Sequence, residues 1–194
     1  MMKQAILIGL MFLAGCTSAR VVNSWRDPTF AGPIEFKKTL VLVIRPDSSV
    51  RRSAEDELVR QIGPNRSVAA YQVLTEEERT HAEKLKAKLQ SIGADGVVTM
   101  AVVGARTETT WVPGSGGPQQ FYSYYDHAAV QAADPGYLRT DRIVSVETKI
   151  YSVADDKLIW SGLSDTFDPL EVKKAVADIA KAVGGELRKQ KLIT

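Results

Sequence analysis

The hydrophobic positions of this chain fall into blocks with different spacings, and the order of the blocks predicts the order of its elements. Residues 36–44, FKKTLVLVI, end in a continuous apolar and β-branched run closed by Arg45-Pro46-Asp47, the pattern of a buried strand followed by a turn. Val50, Ala54, Leu58 and Ile62 then recur at helical spacing until Gly63-Pro64 stops them. Residues 70–74 read as a second, small strand. Thr75 and Glu78 fit a capping box, in which hydroxyl and carboxylate satisfy each other's orphan amides. The helix it opens carries Ala82, Leu85, Leu89 and Ile92 on one face with lysines opposite, and Gly93 ends it.

Asp95-Gly96 lead into VVTMAVVGARTETTWV, apolar on both faces at first and alternating afterwards. That pattern predicts a central strand whose far end projects beyond the helices. Residues 142–154 alternate, with Val144, Val146 and Ile150 inward and Ser145, Glu147 and Lys149 outward, so this strand should be half exposed. The short polar stretch Asp155-Asp156-Lys157 joins it to residues 158–167 as a hairpin. Asp168-Pro169 supply a cap and a proline at the first helical position, ahead of the stripe Val172, Val176, Ile179, Val183 and Leu187. Gly184 and Gly185 inside that helix cost about 1 kcal/mol each against alanine, so a close approach of the helix to the sheet is expected there. The order βαβαβββα describes a single α/β (mixed α+β) domain, a mixed sheet of about five strands with about three helices packed on it and right-handed crossovers between the early strands.

Ahead of these blocks stand Lys3, an apolar run over residues 5–13, and the small residues Ala14 and Gly15, the layout of a secretory signal segment. The run is too short for a spanning helix, which needs roughly 20 residues. Leu13-Ala14-Gly15-Cys16 resembles the bacterial lipobox. The resemblance implies that residues 1–15 are removed as a signal peptide, that the Cys16 thiol takes a diacylglycerol, and that the new amine is acylated, typically with palmitate. Two or more acyl chains hold a protein durably at a membrane, since each buried methylene contributes about 0.8 kcal/mol. In Gram-negative lipoproteins an aspartate after the cysteine favours the inner membrane; Thr17 stands there, so the resemblance implies the periplasmic side of the outer membrane.

Cys16 is the only cysteine, so a lipidated chain has none for a disulfide and packing alone must hold the fold. Residues 16–35 are expected to form the lipidated amino terminus and a short tether or edge strand, and residues 36–194 the domain. A fold beginning at Arg20 or Val21 leaves a leash of at most roughly 15 Å. Trp25 and Phe30 should dock rather than hang free.

Charge narrows the function classes. Lys and Arg total 25 against 23 Asp and Glu, a formal +2 that becomes +1 when Lys3 leaves with the signal segment. The basic groups are dispersed, and such a balance carries no electrostatic footprint for nucleic acid. No cofactor motif is present: the phosphate loop, dinucleotide fingerprint and calcium loop are all missing from the sequence. Of two histidines, His81 lies on a Lys- and Glu-rich helix and His127 in YSYYDHAAV, too few for a triad or a zinc site. Gly114-Ser115-Gly116-Gly117 lacks the glycine spacing of a nucleophile elbow. The chain is therefore read as no enzyme and as holding no metal, with a glycan-processing site at Asp126, His127 and Asp141 as the least favoured alternative.

Residues 111–137 hold Trp111, Phe121, Tyr122, Tyr124, Tyr125 and Tyr137, six of the fourteen aromatics (three Trp, six Tyr, five Phe). A long loop over residues 113–140 is expected, and long irregular connections are usually functional or disordered. Disordered segments are normally poor in aromatics, so these six are candidate binding residues for an envelope protein, a glycan or lipid headgroups.

The segments SWRDPTFAGPIEFKKTLVLVI, LQSIGADGVVTMAVV and DDKLIWSGLSDTFDP resemble a family of bacterial lipoproteins known only as a domain of unknown function, and the element order is similar to that of the TolB amino-terminal domain and the curli-secretion lipoprotein. These resemblances imply a membrane-anchored, non-catalytic binding or assembly module of the cell envelope. The alternative they imply is a subunit of an oligomeric envelope or secretion complex. That role needs hairpins with an outward apolar face, and the sequence shows none.

Overall fold

The computed structural model describes residues 19–30, 32–45, 47–112, 136–167 and 172–193. Strand β1 spans Ala19–Arg26, β2 Thr39–Ile44, β3 Ser67–Ala69, β4 Gly96–Val112, β5 Tyr137–Ser152 and β6 Lys157–Phe167. Helices are α1 Ser48–Ile62, α2 Ala70–Val73, α3 Glu76–Thr80, α4 Ala82–Ile92 and α5 Val172–Lys189. They make the expected single mixed α/β domain, with six described strands in the order β1-β6-β5-β4-β2-β3. β3, β2 and β4 are parallel neighbours; β4, β5, β6 and β1 are antiparallel.

Period-two alternation along β2 divides the core. Val41 and Val43 face a cluster with Ala54 and Leu58 of α1, Met100, Val146, Trp160, and Ile179, Val183 and Leu187 of α5. Leu40 and Leu42 face a smaller cluster with Ala70, Leu74 and Leu89. Helices therefore lie on both faces of β2, which explains its uninterrupted apolar run.

Capping follows the sequence closely. Asp47 accepts from the amides of Ser49 and Val50 at the start of α1, and Thr75 and Glu78 form the reciprocal capping box. Gly93 closes α4 in the left-handed conformation at φ 66°.

Several boundaries differ from expectation. β2 starts only at Thr39, because the Asp95 carboxylate takes the amides of Lys37 and Lys38. The small strand is Ser67–Ala69, and residues 70–73 turn helical instead, with the Tyr71 amide donating to Glu55 at 2.7 Å. The helix expected after Thr75 is split into α3 and α4 by an extended His81, φ −121° and ψ 114°. β5 begins at Tyr137 rather than residue 142, so Trp111 and Tyr137 belong to strands, and residues 113–135 of the expected loop lie outside the described residues. The proposed cap at Asp168-Pro169 lies outside the described residues.

Gly184 does allow a close approach, but to α1: a Cβ there would stand 3.1 Å from Gln61 Cβ. The neighbour is a helix because α1 and α5 pack side by side on one face of the sheet. Gly162 serves Trp160, whose ring would lie 2.2 Å from an added Cβ. Trp160 is fully buried, and its Nε1 donates to Gln190 Oε1 at 3.1 Å; Gln190 Nε2 donates in turn to Ser24 Oγ at 2.9 Å. That chain of hydrogen bonds fastens edge strand β1 to the carboxyl-terminal helix. Among the described residues no helix is long and apolar enough to cross a membrane.

Candidate binding surface

Strand register puts the exposed side chains in order. Opposite the face covered by α1 and α5, Trp25 of β1 aligns with Ser161 of β6 and Lys149 of β5, and Asn23 with Leu163 and Glu147. No described helix covers this region. Asn23, Trp25, Val103, Glu147, Ser161 and Leu163 line a shallow groove of about 280 Å³ there. Trp25 is 46% exposed and Val103 53%. Val103 reaches the groove because the β4–β5 register shifts between Val102 and Gly104 and leaves it as an extra residue. Lys149 pairs with Glu147 at 2.8 Å beside it, so an apolar centre meets a charged margin.

A second exposed region follows from unequal strand lengths. β2 leaves β4 at Ala101 and β6 leaves β5 at Ile143, so the outer stretches of β4 and β5 continue as a two-stranded ribbon. At its base Arg106 Nη2 donates to Asp165 Oδ2 at 2.8 Å and Nη1 to Ser145 Oγ at 3.1 Å, while Ser145 donates to Asp165 Oδ1 at 2.7 Å. The Arg106 guanidinium, and then the Ser145 hydroxyl, hold the Asp165 carboxyl below its ordinary range. Polar side chains follow, TETT on one strand and RTDR on the other. The last pairs are Trp111 with Leu138 and Val112 with Tyr137. Trp111 is 53% exposed, Tyr137 60% and Leu138 65%, so apolar surface returns at the last described pairs.

Of the candidate binding residues, Trp111 and Tyr137 thus both stand at the last described pairs of the ribbon, on adjacent pairs and so on opposite faces. Phe121, Tyr122, Tyr124 and Tyr125 lie outside the described residues, as do Cys16, Asp126 and His127. Asp141 is on β5, where its carboxylate accepts from Arg139 Nε at 2.7 Å. His81 is tied locally, its Nδ1 3.0 Å from the Glu77 carbonyl. No group of three His, Cys, Asp or Glu among the described residues could hold a metal ion. Val103 and Leu138 were not singled out in the sequence; of the two residues expected to dock, Phe30 packs against the core, whereas Trp25 is fixed in β1 by strand pairing and its side chain stays on the exposed face. The signal for Leu138 was present in its apolar character beside Tyr137, whereas the groove depends on which strands become neighbours.

Elsewhere the described charges serve the fold. Glu55, fully buried, accepts from the Val43 amide at 3.1 Å, from Tyr71, and from both terminal nitrogens of Arg79 at 3.1 Å. A cleft of about 170 Å³ beside the carboxyl terminus is lined by Ile34, Phe36, Ile62, Arg66, Ser67 and Leu192, with no nucleophile paired to a base among them.

Among solved structures the chain is similar to the PelC dodecamer of Paraburkholderia phytofirmans, at 14% identity and TM-score 0.46 over 85% of this chain and 94% of that one. A single-residue variant of that dodecamer matches at 16% identity and TM-score 0.46, over 84% and 95%. The lipoprotein GNA1162 of Neisseria meningitidis matches at 15% identity and TM-score 0.40, over 78% and 99%. No protein-family model and no curated protein matches the sequence.

Proposed function

We propose that the protein is a lipid-anchored module of the bacterial envelope, held through Cys16 on the periplasmic side of the outer membrane, which binds a protein partner and catalyses no reaction. The observation that carries this reading is the sheet face around Trp25, Val103 and Leu163, over which no described helix packs. A centre of exposed aromatic and aliphatic groups with a Lys149–Glu147 margin matches the anatomy of a protein interface, where anchors sit centrally and charges form the rim. The groove is open and shallow, suited to a macromolecular surface more than to enclosing a small substrate. The lipobox resemblance supplies the anchor, and Thr17 supports the outer membrane.

Photo-crosslinking in cells tests the reading. A crosslinking amino acid at position 25 or 103 should trap one envelope protein, and the same probe at Lys86 on α4 should not. Loss of the product in a Val103→Asp variant that still folds would follow. Equal labelling from all three positions would contradict the proposal.

A second reading, assembly of several copies, draws on the ribbon. The outward edge of β4 beyond Ala101 has no described strand beside it, and an edge of that kind invites pairing with another chain.

A further inference from the structure

Strand direction relates the amino terminus to the ribbon. β1 is antiparallel to β6, β6 to β5, and β5 to β4, so the start of β1 lies at the end of the sheet where β4 finishes and β5 begins. The register is continuous: Ala19 aligns with Thr166, Thr166 with Val144, and Val144 with Ala105. Cys16 is three residues before Ala19, hence within about 10 Å of it along any path. The ribbon leaves from the same end, and its pairs from Thr107–Arg142 to Val112–Tyr137 carry it about 20 Å farther at roughly 3.3 Å per residue. A body held on the shorter leash cannot keep the longer projection clear of the bilayer without turning on its side.

Chemistry along the ribbon agrees with that geometry. The stem is polar on both faces, with Arg106–Glu108 and Arg139–Asp141 ion pairs, as suits water. Among the described residues beyond Arg106 on β4 and before Ile143 on β5, large exposed apolar groups are confined to the last described pairs, and two of the three are Trp and Tyr, whose rings pair an apolar body with a polar handle and collect at membrane–water interfaces.

We infer that Trp111, Tyr137 and Leu138, at the last described pairs of the β4–β5 ribbon, form a second membrane contact, seated in the headgroup zone of the bilayer that receives the acyl chains of Cys16. The inference rests on the anchored reading given above. The lipid supplies lasting attachment, and this contact sets the tilt of the domain, turning the face around Trp25 to a fixed direction.

Tryptophan fluorescence of the lipidated full chain tests it, in vesicles of phosphatidylethanolamine and phosphatidylglycerol. In a Trp25→Phe background only Trp111 and the buried Trp160 emit. Vesicles carrying shallow brominated lipids should quench and blue-shift the emission, and a further Trp111→Phe change should abolish the quenching while the protein still floats with the vesicles. Floating protein whose Trp111 stays unquenched overturns the membrane contact alone. Trp111 shielded from both brominated lipid and aqueous acrylamide marks a protein contact and overturns it as well. Protein that does not float lacks the anchor, which overturns the anchored reading and this inference together.

Discussion

Asp27 sits where β1 ends, and donors from two parts of the chain converge on it. Lys157 Nζ reaches its Oδ2 at 2.6 Å, while the Thr29 amide and hydroxyl reach Oδ1 at 2.8 and 2.7 Å. The Lys157 hydrogen bond first, and then those from Thr29, pull its carboxyl from 3.8 to about 2. A depressed folded value means that the ionised form favours the folded state. The contribution is complete above the unfolded value near 4 and disappears as pH falls towards 2. Asp27→Asn should therefore lower the melting temperature at neutral pH, and the gap from the parent protein should close between about pH 4 and pH 2. Thermal melts followed by circular dichroism across that range check this. A gap of constant size would mean that Asp27 acts through shape and not through charge.

At the scale of elements, β3 is too short for its neighbour. It pairs with β2 only over Thr39, Leu40 and Val41, so the Val43 amide on that side needs another acceptor. Glu55 of α1 provides it, accepts the Tyr71 amide at the start of α2 as well, and is neutralised by Arg79 of α3. One buried carboxylate thus ties β2 to three helices. Removing one partner of such a pair typically costs about 3–5 kcal/mol, because the other charge stays buried and unpaired. Arg79→Met should lose stability of that order in urea denaturation, and the double change Glu55→Gln with Arg79→Met should recover part of it. A single variant as stable as the parent would show that water reaches the site.

For the whole molecule, the arrangement of covered and bare regions matters most. α1 and α5 cover one face of the sheet, α2 and α4 cover part of the other, and no described helix lies over the remainder or the ribbon. Binding of a different protein predicts a monomer when the lipidated chain is purified in detergent and weighed by light scattering at micromolar concentration. A closed ring of copies would contradict that expectation and favour assembly through the β4 edge beyond Ala101.

Helices α1, α4 and α5, the capping box at Thr75 and the β5–β6 hairpin were legible in the residues alone. Their signals are local: a spacing of three and four, an oxygen within reach of the next turn, a polar turn between two apolar runs. Trp111 and Tyr137 were legible as candidate binding groups for a similar reason, since aromatic crowding is a property of composition. The boundary at Tyr137 was hidden because the outer half of β5 carries polar side chains on both faces and so lacks the alternation that marks a half-buried strand. Only tertiary pairing decided that β1 closes the sheet beside β6, that Val103 is squeezed out onto the face that no described helix covers, and that the start of β1 and the ribbon share one end. Each depends on registers between residues tens to more than a hundred positions apart, such as Thr109 with Thr140 and Ala19 with Thr166. No local period encodes them, because they are chosen by which apolar faces can be buried together.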